Sequence, residues 1–275
     1  MANVSALRFR LMHPAGRYPR EGVACSDGLL AEAFHRGYVF SVVRRAPADE
    51  HSSEICWAVP SEIRFWASIA LAYREKAWSL CMYPSRVAVL PLADTGFDDD
   101  FIWRLAIHFD GSFIEEYARK LGTYERRQDV FDAESQARII DAIDLEDAPM
   151  IRGLSAFLKT NILASSDRLF MEEATLLMFL AMEASLSIAR RRLENTGVNN
   201  PSLERAMEYV SAGVAPKEDA LRYFKECYDK RVSLVHPVNR VTGDAVPLLW
   251  ADDLYDNYEV VAEIYRRLLL GESVD

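Results

Sequence analysis

The sequence predicts a mainly α-helical protein whose N-terminal region mixes helix and strand. Up to about residue 95, short alternating or β-branched runs that end at prolines predict strands beside one helix. Beyond that point, apolar residues recur at helical spacing almost to the end of the chain. The chain has 275 residues, of which 50% are hydrophobic, so it can bury a substantial core.

Strand signals in the first region come from three short runs. Residues 7–11 alternate apolar and polar side chains, which is typical of a half-buried strand. Residues 37–43 and 86–90 are rich in β-branched or aromatic side chains, and Pro91 closes the second run. Between them, Ser61 offers an N-terminal cap for a helix that we expect to extend to about residue 80.

The remainder of the chain carries a series of helical patterns separated by polar breaks. They cover about 98–121, 134–145, 150–163, 168–194, 202–210, 217–235 and 251–270. The longest pattern is apolar on every side at its centre, which predicts burial within a bundle or at a dimer seam. The last pattern predicts a buried seam that ends at Gly271. Its seam residues are Leu254, Tyr258, Val261, Tyr265 and Leu268.

Charge and composition exclude several classes of function. The 32 Lys and Arg residues against 42 Asp and Glu give a formal net charge of -10, which disfavours broad non-specific binding to nucleic acid. A local basic site stays open, because Arg190, Arg191 and Arg192 are adjacent. No glycine-rich phosphate loop is present, so the sequence indicates no small-molecule cofactor.

The cysteines and the apolar runs indicate where the protein acts. The 4 cysteines are irregularly spaced, which predicts reduced thiols rather than a disulfide framework or a metal site. The most apolar run, 174–182, is far shorter than the roughly 20 residues that span a bilayer. The N-terminus lacks the apolar core of a signal peptide. We therefore expect a cytoplasmic protein that does not insert into membranes.

The strongest chemical signal is an arginine and a histidine at the end of the helix predicted over 217–235. Arg231 precedes His236 by five residues, and Pro237 follows directly. An arginine can bind a phosphate and stabilise charge in phosphoryl transfer, and a histidine can move protons near neutral pH. Without neighbouring metal ligands, this pair is compatible with RNA cleavage through the RNA's own 2′-hydroxyl group.

Helix geometry limits how the two side chains can meet. At about 100° per residue, Arg231 and His236 point about 140° apart on a regular helix and flank its apolar stripe. They can converge if the helix end is bent, which Pro237 favours. They can also converge if a second copy of the chain packs across the stripe. The sequence leaves both arrangements open.

These residues resemble a motif of the HEPN superfamily, and the pattern is most similar to its Apea-like group. The resemblance rests on Arg231-x4-His236, on the preceding Cys227-Tyr228-Asp229-Lys230 and on the final helix ending at residues 265–270. The earlier long helix adds Glu183 in an apolar setting, where the family often has a glutamate. The resemblance covers roughly residues 150–275.

The resemblance implies an antiparallel helix bundle over 149–275, preceded by a mixed α+β region of unknown family over 1–148. It also implies a homodimer, RNA as a partner and, in catalytic members, a shared metal-independent endoribonuclease site. Carried over, Arg231 and His236 form the catalytic pair. Ser233, Glu183 and Asp229 are the supporting residues. The resemblance further implies a role in defence or stress response.

Two alternatives remain beside the nuclease. Catalytic members usually have a polar residue after the arginine, whereas this chain has Val232, and Ser233 is the only polar side chain between the pair. The alternative function is therefore a non-catalytic HEPN-type dimerisation or interaction module. The alternative for the residues is structural: Arg231 pairs with an acid such as Glu183, and His236 ends the helix against a backbone group.

Overall fold

The chain divides into two compact units, Met1–Glu134 and Ser135–Asp275. The computed structural model describes residues 3–11, 23–24, 29–33, 39–47, 60–72, 86–91, 133–212, 219, 221–227, 229 and 251–271. Most of these residues are helical, which confirms the mainly α class. The boundary at 148/149 and the mixed character of residues 1–148 stay predictions.

Extended segments of the first unit form a five-stranded sheet with the order β2-β3-β4-β1-β5. The strands are β1 (Asn3–Leu11), β2 (Val23–Ala24), β3 (Leu29–Ala33), β4 (Val39–Pro47) and β5 (Arg86–Pro91). All four strand pairs are antiparallel. Leu7 of the central β1 lies opposite Val43 on one side and Ala88 on the other.

The first unit also contains helix α1 (Pro60–Ala72). A proline suits the first turn, because the backbone N–H that it lacks would have no partner within the helix. Phe65 and Trp66 are buried and meet edge to face with ring centroids 5.1 Å apart. Residues 73–80, which we expected to continue this helix, lie outside the described residues.

The described part of the second unit is helical. It contains α2 (Ala133–Ala142), α3 (Ala148–Ser166), α4 (Met171–Asn195), α5 (Leu203–Ser211) and α6 (Ala251–Leu270), together with the helical residues 219, 221–227 and 229. A single 3₁₀ turn, Arg168–Phe170, links α3 to α4. Among the described helices of both units, none is long and apolar enough to cross a membrane.

Local sequence signals set the ends of these helices. The Asp147 carboxylate accepts the backbone N–H of Met150 at 3.1 Å and caps α3, and the Ser202 hydroxyl caps α5 in the same way. Gly197 ends α4 with a φ of 92°, a conformation that suits glycine because it has no Cβ. Sequence therefore fixes where each of these helices begins or ends.

The core lies where α3, α4 and α6 meet. The Phe157 ring of α3 stacks on Tyr258 of α6 with centroids 4.2 Å apart and planes inclined by 11°. Tyr265 of α6 contacts both α3 and α4. Its hydroxyl donates to the Ala181 carbonyl of α4 at 2.8 Å and lies against Gly153 of α3. A Cβ at Gly153 would be 2.0 Å from that oxygen, so only glycine permits this approach.

Two sequence predictions about burial have different outcomes. All five residues of the α6 seam are buried, which confirms the pattern read over 251–270. The centre of α4 differs from the prediction of burial all round: Met178 and Phe179 are buried, but Leu180 is 44% exposed. A helix in a small bundle contacts neighbours on some sides only, and an apolar sequence alone does not identify the uncovered side.

Candidate functional site

One face of α4 forms the wall of a cleft in the second unit. The α4 residues of this wall recur at intervals of three and four, so they share one side of the helix. They are Phe179, Met182, Glu183, Leu186, Ser187 and Arg190. Phe179, Met182 and Leu186 give this face its apolar surface. Glu183, Ser187 and Arg190 add a carboxylate, a hydroxyl group and a guanidinium group.

The opposite wall comes from α5 and the helical residues 221–227. Leu203 and Met207 of α5 face the cleft, together with Phe224 and Cys227. The volume of this partly open cleft is about 250 Å³. Cys227 is buried, and it is the residue of this wall nearest in sequence to the predicted motif. A second, more apolar depression of about 430 Å³ shares Leu203 and Met207 with this cleft.

Arg190 is held at one end of the cleft by the turn between α4 and α5. Its Nε donates to the Pro201 carbonyl at 3.1 Å, and its Nη2 lies 3.5 Å from the Asn200 side-chain oxygen. Asn200 has a φ of 46°, which asparagine tolerates better than most residues. Both acceptors are neutral, so these contacts orient the guanidinium group without neutralising its charge.

The neighbouring arginines point elsewhere. Arg191 donates to the Asp147 carboxylate at 2.7 Å, which links the end of α4 to the start of α3. The Arg192 side chain is half-buried. Successive helical residues diverge by about 100°, and the run of three arginines therefore does not act as one basic patch.

A polar network fastens residues 221–227 to α6. The Tyr223 hydroxyl donates to the Asn257 side-chain oxygen, and the Cys227 thiol lies 3.7 Å from the same atom. Burial raises the pKa of the Tyr223 hydroxyl above its usual range, with further contributions from Cys227 and Asp256. Tyr223 therefore stays neutral and serves as a hydrogen-bond donor that holds the Cys227 wall in place.

The structure describes two of the five site residues predicted from sequence. Glu183 is half-buried on α4 and lines the cleft, whereas Asp229 is helical and exposed. Arg231, Ser233 and His236 lie outside the described residues, and their roles stay predictions. In the described ranges, no group of three His, Cys, Asp or Glu side chains could hold a metal ion.

Sequence reasoning missed the importance of Arg190 and Met207. Arg190 was visible only as part of a basic run, and Met207 only as an apolar residue of a short helix. The available signal for Arg190 is its distance of seven residues from Glu183. Seven residues are about two helical turns, so both side chains lie on one face of the helix. For Met207 no comparable signal exists, since its position depends on how α5 packs.

Comparison with known proteins adds no relatives. The chain matches no protein-family model, and no curated protein or solved structure is significantly similar to it. Only the residues and the geometry of the cleft therefore bear on the function of this protein.

Proposed function

We propose that the protein is a HEPN-like RNA-binding protein and a metal-independent endoribonuclease that uses Arg231 and His236 across a homodimer. One observation carries the proposal. Glu183 and Cys227 belong to separate parts of the family resemblance, 44 residues apart in sequence, and both line the same cleft. Two positions that come from separate helices of the resemblance and lie in one cleft support it more strongly than the short Arg-x4-His motif does by itself.

The proposed chemistry needs one base, one acid and one cation. A His236 imidazole removes the proton from an RNA 2′-hydroxyl group, whose oxygen attacks the adjacent phosphorus. The bond from phosphorus to the 5′-oxygen breaks, and that oxygen takes a proton from His236 of the second chain. Arg231 stabilises the charge that develops on the phosphoryl oxygens. The products are a 2′,3′-cyclic phosphate and a 5′-hydroxyl group.

For the fold, we propose a HEPN-like antiparallel bundle over 149–275 and a mixed α+β region over 1–148. Contacts of α4 with α3, α5 and α6 support the bundle. The antiparallel strands between residues 3 and 91 support the mixed region. By the same resemblance, we propose a cytoplasmic role in defence or stress response.

The decisive experiment incubates the full chain with mixed RNA in EDTA, beside the His236→Ala variant. We expect cleavage by the natural chain, products with cyclic phosphate ends and intact RNA with the variant. His108→Ala is the matched control, because His108 lies outside the predicted motif. Intact RNA with the natural chain, or equal cleavage by His236→Ala, would show that the protein is not this nuclease.

A specific observation also favours the second candidate, a non-catalytic dimerisation or interaction module. Val232 stands where catalytic members usually have a polar residue, and the surface exposes Leu169 at 82% and Leu180 at 44%. Single exposed leucines are common on monomeric proteins, so the Leu180 side of α4 is tested directly. A stable dimer in sedimentation experiments that Leu180→Lys dissociates, without any RNA cleavage, would support this candidate over the nuclease.

A further inference from the structure

We infer that the cleft between α4, α5 and residues 221–227 binds an aliphatic carboxylate, a molecule with a carboxylate head and a hydrocarbon tail. The inference goes beyond the proposed nuclease and does not depend on Arg231 or His236. Three features support it: the charge of Arg190, the few polar groups on the cleft walls, and a second apolar hollow that adjoins the cleft.

Arg190 provides a cation for the carboxylate head. Its side chain is half-buried and lines the cleft. In the described part of the chain, its hydrogen bonds are to two neutral acceptors, the Pro201 carbonyl at 3.1 Å and the Asn200 side-chain oxygen at 3.5 Å. A guanidinium group has several N–H donors, so some of them stay available to a ligand. A carboxylate can accept two of these donors side by side, an arrangement that gives strong hydrogen bonds.

Glu183 determines at which end of the cleft the head lies. It precedes Arg190 by seven residues on the same face of α4, which corresponds to about 10 Å along the helix axis. Its negative charge repels a second carboxylate, whereas the positive charge of Arg190 attracts one. The ligand head therefore lies beside Arg190, and the tail extends away from it along the apolar part of the cleft.

The cleft walls suit a tail that needs no hydrogen-bond partners. Beside Glu183, Ser187 and Arg190, the lining consists of the Cys227 thiol and apolar side chains. These apolar residues are Phe179, Met182, Leu186, Leu203, Met207 and Phe224. Methionine is unbranched and has several rotatable bonds, so its side chain can adapt to a flexible hydrocarbon chain. Burial of such a chain against these walls is favourable because it removes apolar surface from water.

A peptide C-terminus also carries a carboxylate, but it fits these walls less well. Each peptide group that enters the cleft needs a hydrogen-bond partner, since an unpaired buried amide is costly. Apart from Arg190, only Glu183 and Ser187 bring polar side-chain oxygens to the cleft lining, and Glu183 already has a protein partner. A hydrocarbon tail has no such requirement, so the walls favour an aliphatic ligand.

The second hollow gives space for a longer tail. Its volume is about 430 Å³, and it shares Leu203 and Met207 with the cleft, so the two hollows adjoin along α5. Leu221 and the aliphatic stems of Arg222 and Lys225 add apolar surface there. A tail that fills the cleft can continue past Met207 into this hollow. We therefore expect affinity to rise about fourfold for each further CH₂ group that is buried.

Calorimetry on the full chain tests the class of ligand. The probes are octanoate, decanoate and dodecanoate below the concentrations at which they form micelles, with decylammonium and an N-acetylated leucine tripeptide as comparisons. We expect saturable binding of one decanoate per chain and tighter binding of dodecanoate. The formal net charge of -10 makes non-specific association favour decylammonium, so a preference for decanoate requires a local cation.

Two variants locate the head, and a third serves as their control. Arg190→Gln removes the charge, and decanoate should bind at least about tenfold more weakly. Arg190→Lys keeps the charge and should recover part of this loss. Arg205→Gln is the matched control with unchanged affinity, because Arg205 is exposed on α5 and lies outside both linings.

A further variant tests the path of the tail without replacing a core residue. Leu203 is 47% exposed and begins α5, where the helix dipole favours an acid, so Leu203→Asp should fold. The new carboxylate lies beside both hollows and should weaken dodecanoate binding at least about tenfold. Leu169→Asp is the matched control, because Leu169 is 82% exposed and belongs to neither lining. Circular dichroism and urea unfolding establish that all variants fold.

The outcomes either support or overturn the inference. Equal binding of decanoate and decylammonium, no binding of any carboxylate, or equal losses in a variant and its control would overturn it. Tighter binding of the tripeptide than of decanoate would identify a peptide ligand and overturn the aliphatic one. His236→Ala should bind decanoate as the natural chain does, so failure of the nuclease proposal leaves this inference standing.

Discussion

The second unit contains two regions that are built differently around the same helix. On one side of α4, the contacts with α3 and α6 are close and aromatic, and Gly153 lets the Tyr265 hydroxyl approach the α3 backbone. On the other side, α5 and residues 221–227 leave a cleft of about 250 Å³. We call them the aromatic core and the cleft side.

The difference shows how one helix can border a closely packed core on one side and an open cleft on the other. Rings and a glycine fit in one arrangement only, so the aromatic core fixes α4 relative to α3 and α6. The cleft side is lined by methionines and leucines, whose rotatable side chains tolerate incomplete packing. Rigidity on one face of α4 therefore supports an open pocket on the other.

The largest expected effect compares one large apolar side chain from each region. Phe157→Ala should lower the free energy of unfolding by about 4 kcal/mol, because it empties a site enclosed by Tyr258 and Tyr265. Met207→Ala should cost about 2 kcal/mol, because its side chain already borders open space. Urea unfolding at neutral pH measures both. Equal costs would show that the two regions are packed alike.

The next largest effect tests the close approach within the aromatic core. Gly153→Ala should cost about 3 kcal/mol, because the new Cβ would lie 2.0 Å from the Tyr265 oxygen and 2.7 Å from the Ala184 Cβ. Adding Tyr265→Phe should recover part of this loss by removing the nearest atom. The exposed Lys159→Ala on the same helix is the control, expected within about 0.5 kcal/mol of the natural chain.

Two helix caps offer a comparison of intermediate size. Asp147→Ala should cost about 1.5 kcal/mol, because it removes the α3 cap and the partner of Arg191. Ser202→Ala removes only the α5 cap and should cost about 1 kcal/mol. Thermal unfolding monitored by circular dichroism should rank them in this order. The reverse ranking would mean that α5 contributes more to the unit than its open packing indicates.

The smallest effect concerns Glu263 of α6 and its dependence on pH. Burial by itself would raise the pKa of Glu263, but hydrogen bonds from Arg267 and Arg266 outweigh it and hold that pKa below the usual 4.5. Arg267 also donates to the Ala212 carbonyl at the end of α5, so the carboxylate supports a link between α6 and the cleft side.

A carboxylate with a lowered pKa stabilises the fold above 4.5, and this contribution is lost as pH falls through the lower pKa of the folded state. Glu263→Gln should therefore cost about 0.5 to 1 kcal/mol at neutral pH, with a smaller difference below pH 4.5. Urea unfolding across this range is the measurement. A difference that grows in acid would have the wrong sign for this ion pair.

Much of the helical architecture follows from the sequence alone. The pattern over 251–270 matches the bounds of α6, and its five seam residues are buried. Gly271 ends α6 as the sequence predicts, and α5 begins one residue after the predicted start at 202, because capping depends on residues close together in the chain. The pair Arg231 and His236 is likewise a sequence prediction, and it stays one.

Only the tertiary structure decided which faces of the helices are covered and which residues line the cleft. Sequence marked 176–180 as apolar throughout, but packing leaves Leu180 exposed while Phe179 is buried. It also brought Glu183, Met207 and Cys227 to one cleft, although they belong to separate helical segments. The physical reason is range: caps and periodicity act within a few residues, whereas a cavity depends on the shapes of side chains far apart in sequence.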